Sequence, residues 1–125
     1  MNIPGDLKYT QEHEWIRIEG DIAVVGVTEF AQGELGDVVF VEIETEGEDL
    51  EFGDTFGTIE AVKTVSDLYM PVTGKIVEAN KALEDKPELI NSHPFDDGWM
   101  IRIRIADASQ LDNLLSSEDY QALIS

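Results

Sequence analysis

The chain has 125 residues, enough for one domain with one core, and its 42% hydrophobic content supports a packed globule. Eight Lys plus Arg against 27 Asp plus Glu leave a formal net charge of −19, which disfavours nucleic acid and anionic membranes and favours partners with basic docking faces. Cysteine is absent, so disulfides and thiolate metal sites are excluded, and any sulfur redox chemistry has to come from an attached group.

The start, MNIPGDLKYTQEHEW, carries neither an apolar h-region nor an Arg-rich amphipathic segment. No apolar run approaches the roughly 20 residues needed to span a bilayer. The expectation is a soluble cytoplasmic protein, with a mature organellar form equally compatible.

Short strand-like pieces separated by Gly, Asp, Asn and Pro dominate. HEWIRIEGDIAVVGV reads as a hairpin with Ile16 and Ile18 on one face, turning at Glu19-Gly20-Asp21. VTEFAQGELG allows about two helical turns with Thr28 as N-cap. DVVFVEIE is a second β-rich run, EGEDLEFGD is acidic and turn-forming, and TFGTIEAVKTV, LYMPV and KIVEAN follow. KPELIN puts Pro87 at a plausible first helical position. GWMIRIRI alternates, with Trp99, Ile101, Ile103 and Ile105 on one face and Met100, Arg102 and Arg104 on the other. In the tail, Leu111, Leu114 and Leu115 have helical spacing, and Ser116 or Ser117 opens a further turn. The pattern predicts an all-β barrel or sandwich with short helices, as one domain over 1–125: a β core of about 8–105 and a helical tail of about 107–125 packed outside it.

No catalytic signature stands out. There is no Gly-x-Ser-x-Gly, and the two histidines, His13 and His93, have no ligand partners at metal-site spacing. FGDTFG leads into a strand rather than a helix, which argues against a phosphate loop. Lys63 remains: one of eight positive charges, placed in the apolar run IEAVKTV. An ordinary reading is a charge that protects a strand edge. Glu60 stands three residues before it and Gly74 eleven after. At a hairpin tip, such an amine would be open to acylation.

The segments LKYTQEHEWI, GVTEFAQGELGDVVFVEI, FGTIEAVKTVSDLYMPVTGKIVEAN, PELINSHPFDDGWMIRIRI and LDNLLSSEDYQALI resemble the H-protein family of the glycine cleavage system over nearly the whole chain. The resemblance implies a flattened barrel-sandwich hybrid of the lipoyl/biotinyl type, with short peripheral helices and a C-terminal helical tail. It implies lipoic acid attached to Lys63, with Glu60 and Gly74 as positions recognised by the lipoate-attaching enzyme. Local propensity draws TIEAVKTV as one continuous strand, because it lacks an Asn-Gly turn signal. The family instead places Lys63 at a tight turn.

The implied role is that of a carrier, not an enzyme. A pyridoxal-phosphate-dependent glycine decarboxylase loads an aminomethyl group on the arm, a tetrahydrofolate-dependent aminomethyltransferase unloads it, and dihydrolipoamide dehydrogenase reoxidises the arm. Relatives store the loaded arm in an acidic cleft. By position Glu14 and Asp67 are candidates to hold the ammonium, and Glu12 is a further one. No metal is implied, and a monomer in solution is expected. Two departures from the family are Glu34, where several relatives have histidine, and Thr64, where many have alanine. The alternative is a lipoyl or octanoyl relay in lipoate assembly. Val62-Lys63-Thr64 differs from the Asp-Lys-Ala of 2-oxoacid dehydrogenase lipoyl domains and the Met-Lys-Met of biotinyl carriers.

Overall fold

A computed structural model describes residues 1–125. Its elements in chain order are β1 (Lys8–Tyr9), β2 (Glu14–Glu19), β3 (Ile22–Val27), α1 (Glu29–Leu35), β4 (Val38–Glu42), β5 (Asp49–Leu50), β6 (Thr55–Ala61), β7 (Val65–Tyr69), β8 (Gly74–Ala79), α2 (Ala82–Asp85), α3 (Leu89–Ser92) and β9 (Ile101–Ile105). A 3₁₀ turn (Ala108–Asn113) and α4 (Ser117–Leu123) complete the chain. The strands form a six-stranded sheet, ordered β1-β2-β3-β9-β8-β5, and a three-stranded sheet, β4-β6-β7, with antiparallel pairing throughout. The expected all-β architecture with short helices is the one observed.

Apolar residues from both sheets meet between them. Ile16, Val25, Ile76, Ile101 and Ile103 of the large sheet pack with Val41, Phe56, Ile59 and Leu68 of the small one. Burial of these side chains drives the two sheets together, at about 1.5–3 kcal/mol for each fully buried aliphatic or aromatic residue.

A second cluster, Leu7, Tyr9, Trp15, Val24 and Tyr120, covers the opposite face of the large sheet under the tail. Strand β2 is therefore buried on both faces. Ile16 points between the sheets, Trp15 lies under the tail with its indole N–H donating to the Pro94 carbonyl (2.8 Å), and Ile18 is exposed near the strand end. The alternation expected at Ile16 and Ile18 misses this, because a second covering layer makes both faces of a strand apolar.

The hairpin does turn at Gly20, whose φ of 66° suits glycine, and Glu19 pairs with Ile22. Thr28 caps α1 by accepting from the Ala31 N–H (3.1 Å), as its sequence predicts. Helix α3 begins at Leu89, two residues past Pro87, which lies in the preceding turn. Strict alternation in GWMIRIRI holds only from Ile101. Met100, on the expected polar face, is fully buried: it lies just before β9 begins, its N–H bonds to the Val25 carbonyl, and its side chain joins the main core. Leu114 and Leu115 fall outside any helix, and Leu115 bridges to Tyr9. Ser116 caps α4.

Candidate functional site

Lys63 is exposed in the turn between β6 and β7. Glu60 pairs with Val65, and the Ala61 N–H donates to the Thr64 carbonyl (2.8 Å), leaving Val62 and Lys63 as the turn's outermost pair. No residue from 62 to 64 has a positive φ, so the glycine of primed hairpin turns is not needed. The turn is tied from outside instead: the Val62 N–H donates to the Asp37 carbonyl (3.0 Å), just past α1. That bond joins residues distant in sequence, which is why local turn chemistry draws a continuous strand. The Lys63 stem lies against Gly36, where a Cβ would stand 3.4 Å from Cδ of the lysine. Gly36 has φ 81° and closes α1, so this position favours glycine twice over. Lys63 forms no ion pair; the four present use Arg17, Lys81, Arg102 and Arg104.

The two spacing positions are placed very differently. Glu60 is exposed on the outer face of the small sheet, paired with both Phe40 and Val65. Gly74 is buried at the start of β8, in the other sheet, where a Cβ would lie 2.3 Å from the Arg104 carbonyl oxygen and 2.5 Å from Cγ2 of Ile103. A side chain there would prevent β8 and β9 from pairing.

Beside the Lys63 turn, α1, β7 and the segment before β2 enclose a cleft of about 320 Å³. Glu12, Glu14, Glu34 and Asp67 line it, together with apolar groups that include Phe30 and Leu68. The three acids taken from the sequence thus share one wall system, and the Glu34 departure adds a fourth acid. Glu12, His13 and Glu14 all face the cleft although they are consecutive. An extended strand would alternate them. His13 breaks the alternation with φ 65°, the one positive φ outside glycine.

Glu14 differs from the other acids in being only 2% exposed. Its carboxylate accepts from the Tyr69 N–H (3.2 Å) and, more weakly, from the Thr10 hydroxyl (3.4 Å). Burial outweighs both bonds and pushes its pKa up from 4.5 to about 8, with the nearby Glu12 charge adding to the rise. On its far side, Glu14 and Glu12 also line a second cavity of about 520 Å³, bounded by Tyr69, Met70 and Leu114.

His13 and Thr28 were not singled out by sequence for the cleft, and neither was Tyr120. The Tyr120 hydroxyl bonds to Nδ1 of His13 (3.0 Å) and to the Thr28 hydroxyl (2.7 Å). Its ring stacks on Tyr9 with centroids 4.7 Å apart. One tail residue thus braces the cleft's His13 and the cap of its α1 wall. The available signal is a single aromatic residue in the tail helix Ser117–Leu123. His93 is exposed and bonded to Ser92, away from the cleft. No group of three His, Asp or Glu has the geometry to hold a metal ion, and no helix is long and apolar enough to cross a membrane.

The family model for Glycine cleavage H-protein matches residues 7–125. The chain belongs to the glycine cleavage H-protein family. It is 59% identical over 124 residues to the glycine cleavage system H protein of Bacteroides fragilis, covering 99% of this chain and 98% of that one. The corresponding protein of Bacteroides thetaiotaomicron matches with the same identity and coverage. The fold is similar to the crystal structure of a glycine cleavage system H protein from Mycobacterium marinum, with a TM-score of 0.87 and 40% identity over 96% of this chain and 97% of that one. Membership of the H-protein family spans both the Lys63 turn and the tail that carries Tyr120.

Proposed function

We propose that the protein is the lipoyl carrier of glycine cleavage, with the lipoyl group held in amide linkage on Nζ of Lys63. The observation that carries this reading is the exposed lysine at a two-strand turn, its stem against Gly36, beside a cleft lined by four acids. The residues fit such an arm: apolar groups such as Phe30, Leu35 and Leu68 suit its hydrocarbon, and the acids suit a cationic cargo. When bound, the lipoyl group would supply a disulfide to accept the aminomethyl group left by a pyridoxal-phosphate-dependent glycine decarboxylase, and a dithiol, once a tetrahydrofolate-dependent aminomethyltransferase has unloaded it, for dihydrolipoamide dehydrogenase to reoxidise. The protein itself acts as a substrate of these enzymes rather than as a catalyst.

Glu14 would be the principal cargo ligand. In the empty cleft burial favours its neutral carboxyl. An ammonium entering the cleft offsets that penalty, so Glu14 releases its proton to solvent and pairs as a carboxylate, with Asp67 and Glu12 adding negative charge from more exposed positions. Each charge-assisted hydrogen bond of this kind contributes roughly 1.5–3 kcal/mol. Glu60 is available to a lipoate-attaching enzyme directly, whereas Gly74 supports recognition through the fold. The whole of 1–125 acts as one domain, monomeric and cytoplasmic, the tail bracing the β core.

Intact-mass analysis of protein from its native host tests the reading. The expected gain is one lipoyl group located on Lys63, and Lys63→Arg removes both the gain and glycine-dependent carbon dioxide exchange. Exchange persisting in Lys63→Arg would exclude it.

A further inference from the structure

The cleft does not use one feature of the Lys63 turn: a collar of exposed apolar side chains. Eight large hydrophobic residues are exposed, and four of them surround this turn: Val39 (53%), Phe40 (49%), Val62 (72%) and Val65 (64%). Two follow from the turn itself. The other two follow from a bulge in edge strand β4, where the register with β6 shifts between Val38 and Phe40. In a regular strand one of two neighbours would face inward, but here Val39 and Phe40 are both exposed. The ladder then sets Phe40, Glu60 and Val65 in one row across the outer face, with the acid in the middle.

Charge sharpens the pattern. Strands β4, β6 and β7 contain Glu42, Glu60 and Asp67 but no lysine or arginine, and Lys63 is the one basic residue in the chain between Val38 and Tyr69, with Lys81 lying on the far side of Phe40. An exposed apolar patch next to an edge strand favours aggregation unless a partner covers it.

We propose that Val39, Phe40, Val62 and Val65 form a docking collar around Glu60 for the enzyme that acylates Lys63, which would meet it with an apolar surface carrying a basic group opposite Glu60. The proposal rests on the assignment of Lys63 as the lipoyl site. Acyl transfer takes place at Nζ itself. The amine, its proton lost to solvent, attacks the carbonyl of an acyl adenylate; the amide bond forms and AMP leaves. The acylating enzyme must therefore close over the turn and cover Val62 and Val65. Enzymes that act on the far end of a bound arm work an arm's length away and need not touch the collar. Complementary charge explains why the collar's central residue is an acid in a chain whose partners should be basic.

The test uses the full-length apo protein and a purified lipoate-attaching enzyme. A Val39→Thr/Phe40→Ser double variant should lower kcat/KM for lipoylation by about tenfold, mainly through KM, as expected for an apolar anchor. After lipoylation is driven to completion, the same variant should support glycine-dependent carbon dioxide exchange within about twofold of the parent. Val65→Thr provides a second, more conservative probe should the double variant unfold. Ile18→Thr, exposed on the other sheet, should change neither reaction. Glu60→Gln should weaken the salt dependence of KM. Unchanged lipoylation kinetics in both collar variants would overturn the proposal, as would an equal loss in lipoylation and exchange. Lys63→Arg separates the two claims: if it still accepts the lipoyl group, the site assignment falls, whereas inert collar variants beside a dead Lys63→Arg sink the collar alone.

Discussion

The turn at Lys63 and the wall at Glu14 border the same cleft region but are built on opposite terms. Lys63 is exposed and forms no ion pair, in a turn held by one hydrogen bond across it, Ala61 to Thr64, and one from Val62 to Asp37. Glu14 is almost fully buried, and its carboxyl is pushed toward neutrality by the layers around it. The attachment proposed at Lys63 needs reach, which an exposed turn supplies. The storage proposed at Glu14 needs a low-dielectric wall, which only packed layers can supply. Four apolar neighbours and one acid surround the lysine, whereas the tail and β7 surround the glutamate.

Gly74→Ala should produce the largest effect on this contrast. Its Cβ would overlap the Arg104 carbonyl oxygen and separate β8 from β9, at a cost of about 3 kcal/mol or more. Denaturant unfolding should show the loss, and lipoylation of the fraction still folded should proceed at the parental rate. Slow lipoylation of fully stable Gly74→Ala would instead make Gly74 a direct contact.

Glu14→Gln should come next, and its signature is pH. The native carboxyl has a pKa near 8 against 4.5 in the unfolded chain. Between those values the native state binds the extra proton, so the Glu14 contribution to stability is fully present below about pH 4.5 and is lost as pH rises toward 8. Thermal melts across this range should show the parent losing about 2–3 kcal/mol relative to Glu14→Gln, less than the full shift because water in the two cavities screens the charge. Parallel curves for the two proteins would mean that Glu14 is as well solvated as Lys63, and the comparison would collapse.

Tyr120→Phe should have the smallest effect, about 1 kcal/mol, since the ring can still stack on Tyr9 while the hydroxyl bonds to Thr28 and His13 are lost. The ring nitrogens of His13 should shift in NMR spectra and the Lys63 turn should not. A change in lipoylation rate would show that the tail's influence extends beyond the cleft to the turn.

Much of this was legible in residue order. The short strands, the Thr28 cap and the Gly20 turn follow from local rules and occur where those rules put them, and of the two serines open as the start of the last turn the structure selects Ser116. Ile16 and Ile18 share one face as expected, but Trp15, Met100 and Leu115 depart from the simple pattern because each depends on what packs over a strand, and periodicity describes one covered face at a time. The spacing of Glu60, Lys63 and Gly74 is visible in sequence, yet it does not reveal that one of the three is buried in the other sheet.

By itself the sequence determined the β-rich class, the absence of protein thiols and the net acidity, and it set Lys63 apart by its place in an apolar run, because these depend on residue type and spacing; its reading as an acylation site comes from the family resemblance. Tertiary structure decided the turn that presents Lys63, the left-handed His13 that puts three consecutive residues on one wall, and the burial that keeps Glu14 near neutral. Each of these depends on contacts between segments far apart in the chain, and the energies of desolvation and long-range hydrogen bonding have no local signature.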